Sequence, residues 1–299
     1  MTAQMWTARA AGEPFSARIR RRRELWWGAN EPTAGWRRYP AAAHRLRRRH
    51  TFVRRDAPPD AWRCCEYWQH TLINKWNSRE FVARLGCRLP ALYWVGQLPS
   101  VRRLRSLRHF VVRPVWGAVR RGVYVIADGR DLLRHAPAPA ARLHRSLLRS
   151  LPRRWPAPLM LEEFVRTAAG EYALPTEYKL HTFGDRVAAV QIFHRTSIYD
   201  GGVTQRMYTP DWQPFTDPMD VAVPRAPVVE APACLDEMLE CASRLGRELG
   251  TYMRVDFFAT DRGCVFNEFS STPRRGQYVT PFCDALFAAL WDEHCPGTT

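Results

Sequence analysis

The most restrictive pattern in this sequence is a helix followed by two strands. Residues 235–249 place leucine and methionine at helical intervals, so one face of the helix is apolar. Residues 252–259 and 264–269 are apolar runs of strand length, and the turn residues Thr260–Gly263 separate them. The unit therefore predicts a helix and an antiparallel hairpin, and it specifies which residues share a face of each strand.

Four polar residues occupy alternate positions on these two strands. Arg254 and Asp256 alternate on the first strand, and Glu268 and Ser270 on the second, so each pair lies on one face of its strand. If both strands share that face, two carboxylates and one cation come together. This arrangement suits a Mg²⁺ ion that holds polyphosphate oxygens while Arg254 stabilises developing negative charge. A salt-bridged hairpin that faces solvent is the other interpretation of the same residues.

Patterns upstream predict shorter elements. Residues 77–86 are predicted to form an amphipathic helix, with Ser78 as its N-cap and Gly86 at its end. The other predicted elements are a helical segment at 62–76, strands at 91–95, 110–114, 123–126 and 159–165, and a hairpin of residues 178–183 and 187–193 around Gly184–Arg186. The chain is thereby divided into a basic region 1–60, an N-terminal part 61–165 and a C-terminal part 166–299.

Arginine supplies nearly all of the positive charge. The 45 Lys and Arg residues against 29 Asp and Glu residues give a formal net charge of +16, yet lysine occurs only at positions 75 and 179. Arginines cluster within residues 18–55, 102–108 and 142–154, which predicts either a landing site for RNA or another acidic partner, or solvated helix faces. An ammonium is a compact charge that fits beside a phosphate, so Lys75 and Lys179 are candidate phosphate contacts.

Cysteine spacing and apolar segments argue against several classes of protein. The eight cysteines include no C-x-x-C pair and no histidine at zinc-finger spacing, so neither a thiolate metal site nor a disulfide-stapled domain is expected. No stretch approaches the roughly 20 apolar residues of a membrane span, and the first residues lack the apolar core of a signal peptide. The sequence therefore predicts a soluble, cytoplasmic protein with reduced thiols.

The polar residues of the hairpin form motifs that resemble the ATP-grasp superfamily. Arg254-Val255-Asp256, followed after the turn by Glu268-Phe269-Ser270-Ser271-Thr272-Pro273, is similar to the family's R-x-D and E-x-N-x-x-P pattern. The resemblance implies that Arg254 is catalytic and that Asp256, Glu268 and Ser270 hold the metal. Serine stands where the family has asparagine, and its hydroxyl is a weaker metal ligand than an amide carbonyl.

Segments upstream of the hairpin follow in the order of the same superfamily. Asn74 to Arg79, with Gly86 and Pro90, resemble its D-K-x-x-x-K/R and L-G-x-x-x-P opening, which implies that Lys75 contacts a nucleotide phosphate. Phe110–Pro114 resembles the V-x-K-P strand, with Arg113 where lysine is expected, and an arginine at this place can pair bidentately with a nucleotide phosphate. Residues 117–122 then stand where the family has a glycine-rich loop that closes over phosphates.

Two further segments resemble the parts of the superfamily that bind the nucleoside. Leu161–Val165 resembles the hinge strand, which implies that Glu162, Glu163 and Val165 bind the adenine edge. Glu177 stands at the place of the acid that binds ribose, and Lys179 beside it is expected to neutralise phosphate charge. Both lysines of the chain thus fall in segments that the resemblance assigns to nucleotide binding.

One branch of the superfamily looks closest to this chain. The segment from Glu177 through His194-Arg195 to Trp212, with the ending Glu268–Pro273, resembles the TupA-like branch, whose name refers to teichuronopeptide biosynthesis. The resemblance covers roughly residues 70 to 290. It implies an α+β fold in which two subdomains, each with an antiparallel sheet, clasp ATP between them.

The resemblance also implies an activity. An ATP-grasp ligase uses ATP and Mg²⁺ to convert a carboxylate to an acyl phosphate, which an amine then attacks. Amide formation on a sugar acid or an amino-acid carboxylate is expected for the TupA-like branch. His194, Arg274 and Arg275 are candidate contacts for the substrate carboxylate.

Two other functions fit the same residues. Arg113, Ser270 and the altered loop motivate an RNA-binding or carrier-binding protein on a degenerate ATP-grasp scaffold, and phosphoryl transfer to a hydroxyl would make the chain a kinase. The basic region 1–60 has no assigned role. It is a candidate site for an acidic carrier protein or a tRNA, and a small truncated substrate domain is an equal alternative.

Overall fold

Two antiparallel sheets, one of six strands and one of five, dominate the structure. The computed structural model describes residues 52–63, 65, 67–116, 122–150, 158–197, 202–215, 223–271, 273 and 280–295. Its helices are α1 (Pro59–Trp62), a 3-10 helix (Trp68–Ile73), α2 (Lys75–Arg84), α3 (Val101–Arg105), α4 (Ala140–Ser150), α5 (Leu235–Leu249) and α6 (Pro281–His294). None of the helices within these ranges is both long enough and apolar enough to cross a membrane.

The six-stranded sheet comes from residues 92–163. Its strands are β1 (Leu92–Gly96), β2 (His109–Pro114), β3 (Tyr124–Ala127), β4 (Arg130–Asp131), β5 (Ala136–Pro137) and β6 (Leu159–Glu163). They lie in the order β1-β6-β2-β3-β4-β5, so β6 inserts between β1 and β2. Val112 of β2 lies opposite Leu161 of β6, and both are fully buried. Leu104 of α3 and Leu147 of α4 pack into the same core, so these two helices cover one face of the sheet.

The five-stranded sheet comes from residues 177–270. Its strands are β7 (Glu177–Phe183), β8 (Arg186–Arg195), β9 (Val203–Tyr208), β10 (Tyr252–Thr260) and β11 (Gly263–Ser270), in the order β11-β10-β7-β8-β9. Alternation along β10 sends Val255 and Phe257 into an apolar core beneath α5. Arg254 and Asp256 therefore point to the opposite face, so this face presents the polar side chains predicted to carry chemistry.

Helix α2 packs its apolar side chains against the second sheet. Phe81 and Val82 belong to the core under α5, and the Phe81 ring lies 6.3 Å from that of Phe269 on β11. The prediction that Ser78 caps this helix was wrong. Asn74 is the N-cap, because its side chain accepts hydrogen bonds from the amides of Trp76 and Asn77. The Ser78 hydroxyl instead donates to the Lys75 carbonyl within the helix, and the earlier start places Lys75 at the first helical position.

Most predicted elements are confirmed with small changes at their ends. The helix at 235–249, the hairpin around Gly184–Arg186 and the C-terminal hairpin all form. Strands β2 and β3 pair antiparallel as expected, but residues 117–121 of the predicted loop between them lie outside the described ranges. The expected helical segment at 62–76 is split, since α1 ends at Trp62 and a 3-10 helix spans Trp68–Ile73. Residues 1–51 also lie outside the described ranges.

Candidate active site

The C-terminal hairpin places its four polar residues in direct register. Asp256 of β10 lies opposite Glu268 of β11, and Arg254 lies opposite Ser270. The register shifts between Asp256 and Phe257, so β11 contains a bulge at this point. The bulge separates Glu268 from Phe266 by an extra residue, Asn267, whose side chain extends to the other sheet.

Asp256 is fully buried, and two cations surround it. Arg254 donates to both carboxylate oxygens at 2.7 Å, and Lys179 Nζ lies 2.6 Å from Oδ2. Burial opposes the charged form of Arg254, but the double contact with Asp256 outweighs it and raises the Arg254 pKa. The guanidinium is therefore fixed on this face of β10 as a permanent positive charge.

Glu177 of β7 lies between two further cations. Its carboxylate contacts Lys179 Nζ at 2.7 Å and Arg195 Nε at 3.2 Å. Burial would raise the pKa of Glu177, but the charges of Lys179 and Arg195 prevail and lower it to about 2. Lys179 thus joins the carboxylates of Glu177 and Asp256, and it also lies 5.1 Å from the centre of the Phe193 ring.

Glu268 is the most accessible carboxylate of the cluster. Its side chain is 34% exposed, and its Oε2 lies 3.5 Å from Lys75 Nζ at the start of α2. Burial raises the pKa of Glu268, but Lys75, Lys179 and Arg254 outweigh that effect and hold it below its ordinary value. Glu268 is therefore ionised at neutral pH, with a carboxylate that reaches solvent.

A second charged network joins the two sheets. Arg113 of β2 donates from Nε to Glu162 Oε2 at 2.5 Å and from Nη1 to Asn267 Oδ1 at 2.9 Å. Glu162, which is only 2% exposed, also accepts from Arg79 Nη1 of α2 at 3.0 Å. Arg113 and Glu162 therefore bind each other, and Arg113 ties β2 to the bulge of β11.

The remaining hinge residues are Glu163, the last residue of β6, and Val165, two residues later. Glu163 accepts from Arg262 Nη2 at 2.7 Å and from the Ala91 amide at 3.0 Å. Val165 is buried, with 3% of its surface exposed. The pair between Glu163 and Arg262 forms a second link from the first sheet to the C-terminal hairpin.

The family of the chain is shown by comparison with family models. The model described as TupA-like ATPgrasp matches residues 63–290. The chain belongs to the TupA-like ATP-grasp family. A search of curated protein sequences finds no match.

Solved ATP-grasp structures resemble this TupA-like chain distantly. The D-alanine–D-alanine ligase from Bacillus anthracis complexed with ATP is 14% identical, with 77% of this chain and 67% of that chain covered and a TM-score of 0.47. The ATP-grasp ligase PsnB complexed with minimal precursor is 17% identical, with 73% and 61% covered and a TM-score of 0.42. The ADP complex of purK, N5-carboxyaminoimidazole ribonucleotide synthetase, is 12% identical, with 76% and 54% covered and a TM-score of 0.47. The chain spans less than two thirds of PsnB and purK, and likeness at this level says nothing about its substrates.

Not every residue that the ATP-grasp resemblance singled out lies in the cluster. His194 is exposed on β8, and the adjacent Arg195 points to Glu177, so alternation directs His194 to the opposite face. Arg274 and Arg275 lie outside the described residues.

The arginines of the two basic helices α3 and α4 are exposed, and neither helix has an acidic residue in its first turn.

Three cluster residues of this TupA-like chain were not predicted as site residues. Arg79 stands at the end of the D-K-x-x-x-K/R pattern, and Arg195 lies beside His194, so motif position and strand alternation were available signals for both. For Asn267 the available signal was the pair of consecutive polar residues Asn267 and Glu268, which interrupts the alternation of the strand.

The fold implies a Mg²⁺ ion, and the cluster fits one that arrives with a nucleotide. Within the described ranges, no three His, Cys, Asp or Glu side chains come together as a metal site. Magnesium commonly takes only one or two carboxylates and completes its shell with phosphates and water. Asp256 and Glu268 are directly opposed, and Asp256 Oδ1 accepts one hydrogen bond, which leaves it a second lone pair.

Proposed function

We propose that this chain is an ATP-dependent ligase that joins a carboxylate to an amine and releases ADP and phosphate. Membership of the TupA-like ATP-grasp family supports ATP-dependent ligation in general. The proposal adds the two steps and the residues that serve them. Its substrates are a sugar-acid or amino-acid carboxylate and an amine, as the branch resemblance suggests.

One observation carries the proposal. Asp256 and Glu268 face each other across β10 and β11, and Arg254, Lys179 and Lys75 surround them. A hairpin that served stability alone would need no accessible carboxylate among three cations. A cluster that combines buried cations with a solvent-reaching carboxylate suits a polyphosphate and its metal.

In the first step, a substrate carboxylate oxygen attacks the γ-phosphorus of ATP, and the bond from that phosphorus to the ADP oxygen breaks. Lys75 and Lys179 would neutralise phosphate charge, because they lie beside the carboxylates Glu268 and Asp256 that we assign to the metal. Asp256 and Glu268 would hold Mg²⁺, with Ser270 as a weaker ligand, and the ion would supply positive charge to the phosphates. Positioning and charge neutralisation provide most of the rate enhancement in such a transfer.

In the second step, the amine attacks the acyl carbon, the carbon–oxygen bond to phosphate breaks, and the amine loses a proton to solvent. The tetrahedral oxyanion that forms between these events needs a fixed donor. Arg254 meets that need, because its contacts with Asp256 hold the guanidinium in place and its pKa is raised. Glu177 and the segment Glu162–Val165 are proposed to bind the ribose and the adenine edge.

The test is nucleotide binding by calorimetry, with and without Mg²⁺, for the intact protein and for Glu268→Ala. We expect Mg²⁺-dependent ATP binding that the substitution weakens about tenfold or more, because one of two carboxylates for the ion is lost. Phosphate release in the presence of carboxylate and amine pairs then identifies the substrates. No ATP binding by the folded intact protein would end the ligase proposal.

A binding role without catalysis is the second candidate, and one observation favours it. Arg113 and Glu162 bind each other, so the two groups expected at phosphate and adenine already have partners. A salt titration of RNA binding separates the candidates, since contacts to phosphate backbones weaken steeply with ionic strength. A kinase on the same fold is distinguished by its products, because it releases ADP without free phosphate.

A further inference from the structure

Arg195 has a buried donor that no described group satisfies. Its Nε binds Glu177 at 3.2 Å, and only 9% of the residue is exposed. Within the described part of the chain, its Nη1 has no hydrogen-bond partner. A buried donor on a charged group is costly to leave unpaired, so such a group in a folded protein calls for an explanation, such as a water, a bound ion or a functional role.

The location of Arg195 points to the space between the two sheets. The side chain lies on the same face as Glu177 and Lys179, which is the polar face of the second sheet. The carbonyl oxygen of the next residue, Thr196, lies 2.8 Å from Nε2 of His135. His135 follows β4 of the first sheet. Arg195 therefore lies where the first sheet comes over the end of β8.

The carboxylates around Arg195 do not neutralise it. Glu177 is shared with Lys179, which also contacts Asp256, and Asp256 is shared with Arg254. With Glu268 and its partner Lys75 included, four cations thus face three carboxylates in this cluster. An anionic ligand would remove the imbalance and satisfy the open donor with the same contact.

Glu177 prepares Arg195 for such a ligand. The bond from Nε to Glu177 fixes one edge of the planar guanidinium, so the remaining N–H groups keep a defined direction. Guanidinium groups pair with phosphate and carboxylate oxygens through parallel N–H bonds, and pairs with charged groups are stronger than neutral hydrogen bonds. The ligand that fits is an oxyanion.

We propose that Arg195 is an oxyanion-binding residue of the active site, with Nη1 directed at a phosphate of the nucleotide or at the anionic group of the second substrate. The inference rests on the proposed nucleotide site, and it adds a contact on the β8 side of Glu177, away from the carboxylates of β10 and β11. Arg195 binds the ligand directly while Glu177 holds the guanidinium in position.

The experiment compares the intact chain with Arg195→Ala, Arg195→Lys and a control, Arg186→Ala. Arg186 is the exposed first residue of the same strand, so its loss removes an arginine far from the cluster. Calorimetry with Mg²⁺ measures the Kd of adenosine, of ADP, and of inorganic phosphate added to the complex with ADP. Adenosine reports on the ribose and adenine contacts alone, ADP adds the nucleotide phosphates, and inorganic phosphate probes a second oxyanion position. Thermal unfolding checks that each variant is folded.

Two results support the proposal and identify the source of the anion. If Arg195→Ala raises the Kd of ADP about tenfold or more while the Kd of adenosine is unchanged, Nη1 binds a nucleotide phosphate. If the Kd of ADP is unchanged and the Kd of inorganic phosphate rises by a similar factor, Nη1 binds the anionic group of the second substrate. Arg195→Lys keeps the charge but not the fork, so it should fall between the intact chain and Arg195→Ala.

Two results overturn it. Equal weakening of adenosine and ADP would mean that Arg195 acts only by holding Glu177, and no weakening beyond that of Arg186→Ala would mean that the open donor binds nothing. Should Arg195→Ala fail to fold, the same comparison is made with Arg195→Lys. If the intact chain binds no nucleotide, the proposed function itself has failed. If the intact chain and Arg195→Ala bind nucleotide and phosphate equally well, only the inference about Arg195 has failed.

Discussion

The network around Glu162 predicts a large difference between two neighbouring carboxylates. Glu162 accepts from Arg79 at 3.0 Å and from Arg113 at 2.5 Å, and it is 2% exposed. In Glu162→Gln the side chain keeps its shape but loses its charge, and its amide nitrogen faces a donor from one of the two arginines. Burial already lowers the pKa of Arg79, and repulsion by Arg113 adds to that effect. The substitution leaves both guanidinium groups buried without the carboxylate that they contact.

The size of the effect follows from burial. Removing one partner of a buried ion pair costs about 3–5 kcal/mol of unfolding free energy, because the remaining charge stays desolvated. For 299 residues, an unfolding entropy of about 2.1 cal/mol/K per residue means that this loss lowers Tm by roughly 5–8 °C. Glu163 is the matched control, since its partner Arg262 is 46% exposed, and Glu163→Gln should cost less than about 1 kcal/mol.

Thermal and urea unfolding of the intact chain, Glu162→Gln and Glu163→Gln provide the measurement. We expect the large midpoint shift only for Glu162→Gln, with a similar slope against denaturant. A loss below about 1 kcal/mol in Glu162→Gln would mean that groups other than Glu162 stabilise Arg79 and Arg113. Equal losses in the two variants would mean that burial of the ion pair does not set the cost.

Three further predictions concern the acidic cluster, the cap of α2 and the basic N-terminal region. Glu177 has a pKa of about 2, below its ordinary value of 4.5, so its contribution to stability is present above pH 4.5 and is lost as pH falls towards 2. An acid titration of Tm should therefore fall less steeply in Glu177→Gln, and an unchanged acid limb would contradict this origin. Asn74→Ala should cost about 1 kcal/mol in urea unfolding, while Ser78→Ala costs less, and the reverse order would restore Ser78 as the cap. Removing residues 1–51 should change Mg-ATP affinity by no more than about twofold, because Val53 keeps its contact with Asn77 and Arg55 keeps its contact with Glu80. If residues 1–60 bind an acidic carrier protein, the deletion should abolish only the activity on a substrate tethered to that carrier. Weaker Mg-ATP binding after that deletion would place part of the removed region in the nucleotide site.

Elements with strong periodicity could be predicted from the sequence. The helix Leu235–Leu249 repeats its apolar residues at helical spacing, and Gly250 adopts φ +63°, a conformation that favours glycine at a helix end. Helix α2 was harder, because Asn74, Asn77 and Ser78 are all good capping residues within one turn. Asn74 caps the helix because its side chain reaches two free amides, a geometric fact that composition does not specify.

Contacts between distant residues could not be predicted in the same way. The consecutive polar residues Asn267 and Glu268 interrupt the alternation of β11 where the bulge lies, but they do not identify Arg113, 154 residues earlier, as the partner of Asn267. Likewise, Arg113 matched a motif position for phosphate binding, but its partner Glu162 matched a different position, and neither motif records that the two face each other. Local patterns specify which residues are polar on a face, while the approach of the two sheets decides which of them pair.

The two lysines show why residue type matters in this cluster as well as charge. Lys179 Nζ lies 2.7 Å from Glu177 and 2.6 Å from Asp256, and only 6% of its side chain is exposed. A guanidinium directs its donors in a fixed planar fork, whereas an ammonium directs three rotatable donors from one nitrogen. One nitrogen can therefore serve a carboxylate on its own strand and another on the adjacent strand. In a chain whose other basic residues are nearly all arginines, this demand accounts for lysine at 179, and it applies less strongly to Lys75, whose contact with Glu268 is longer at 3.5 Å.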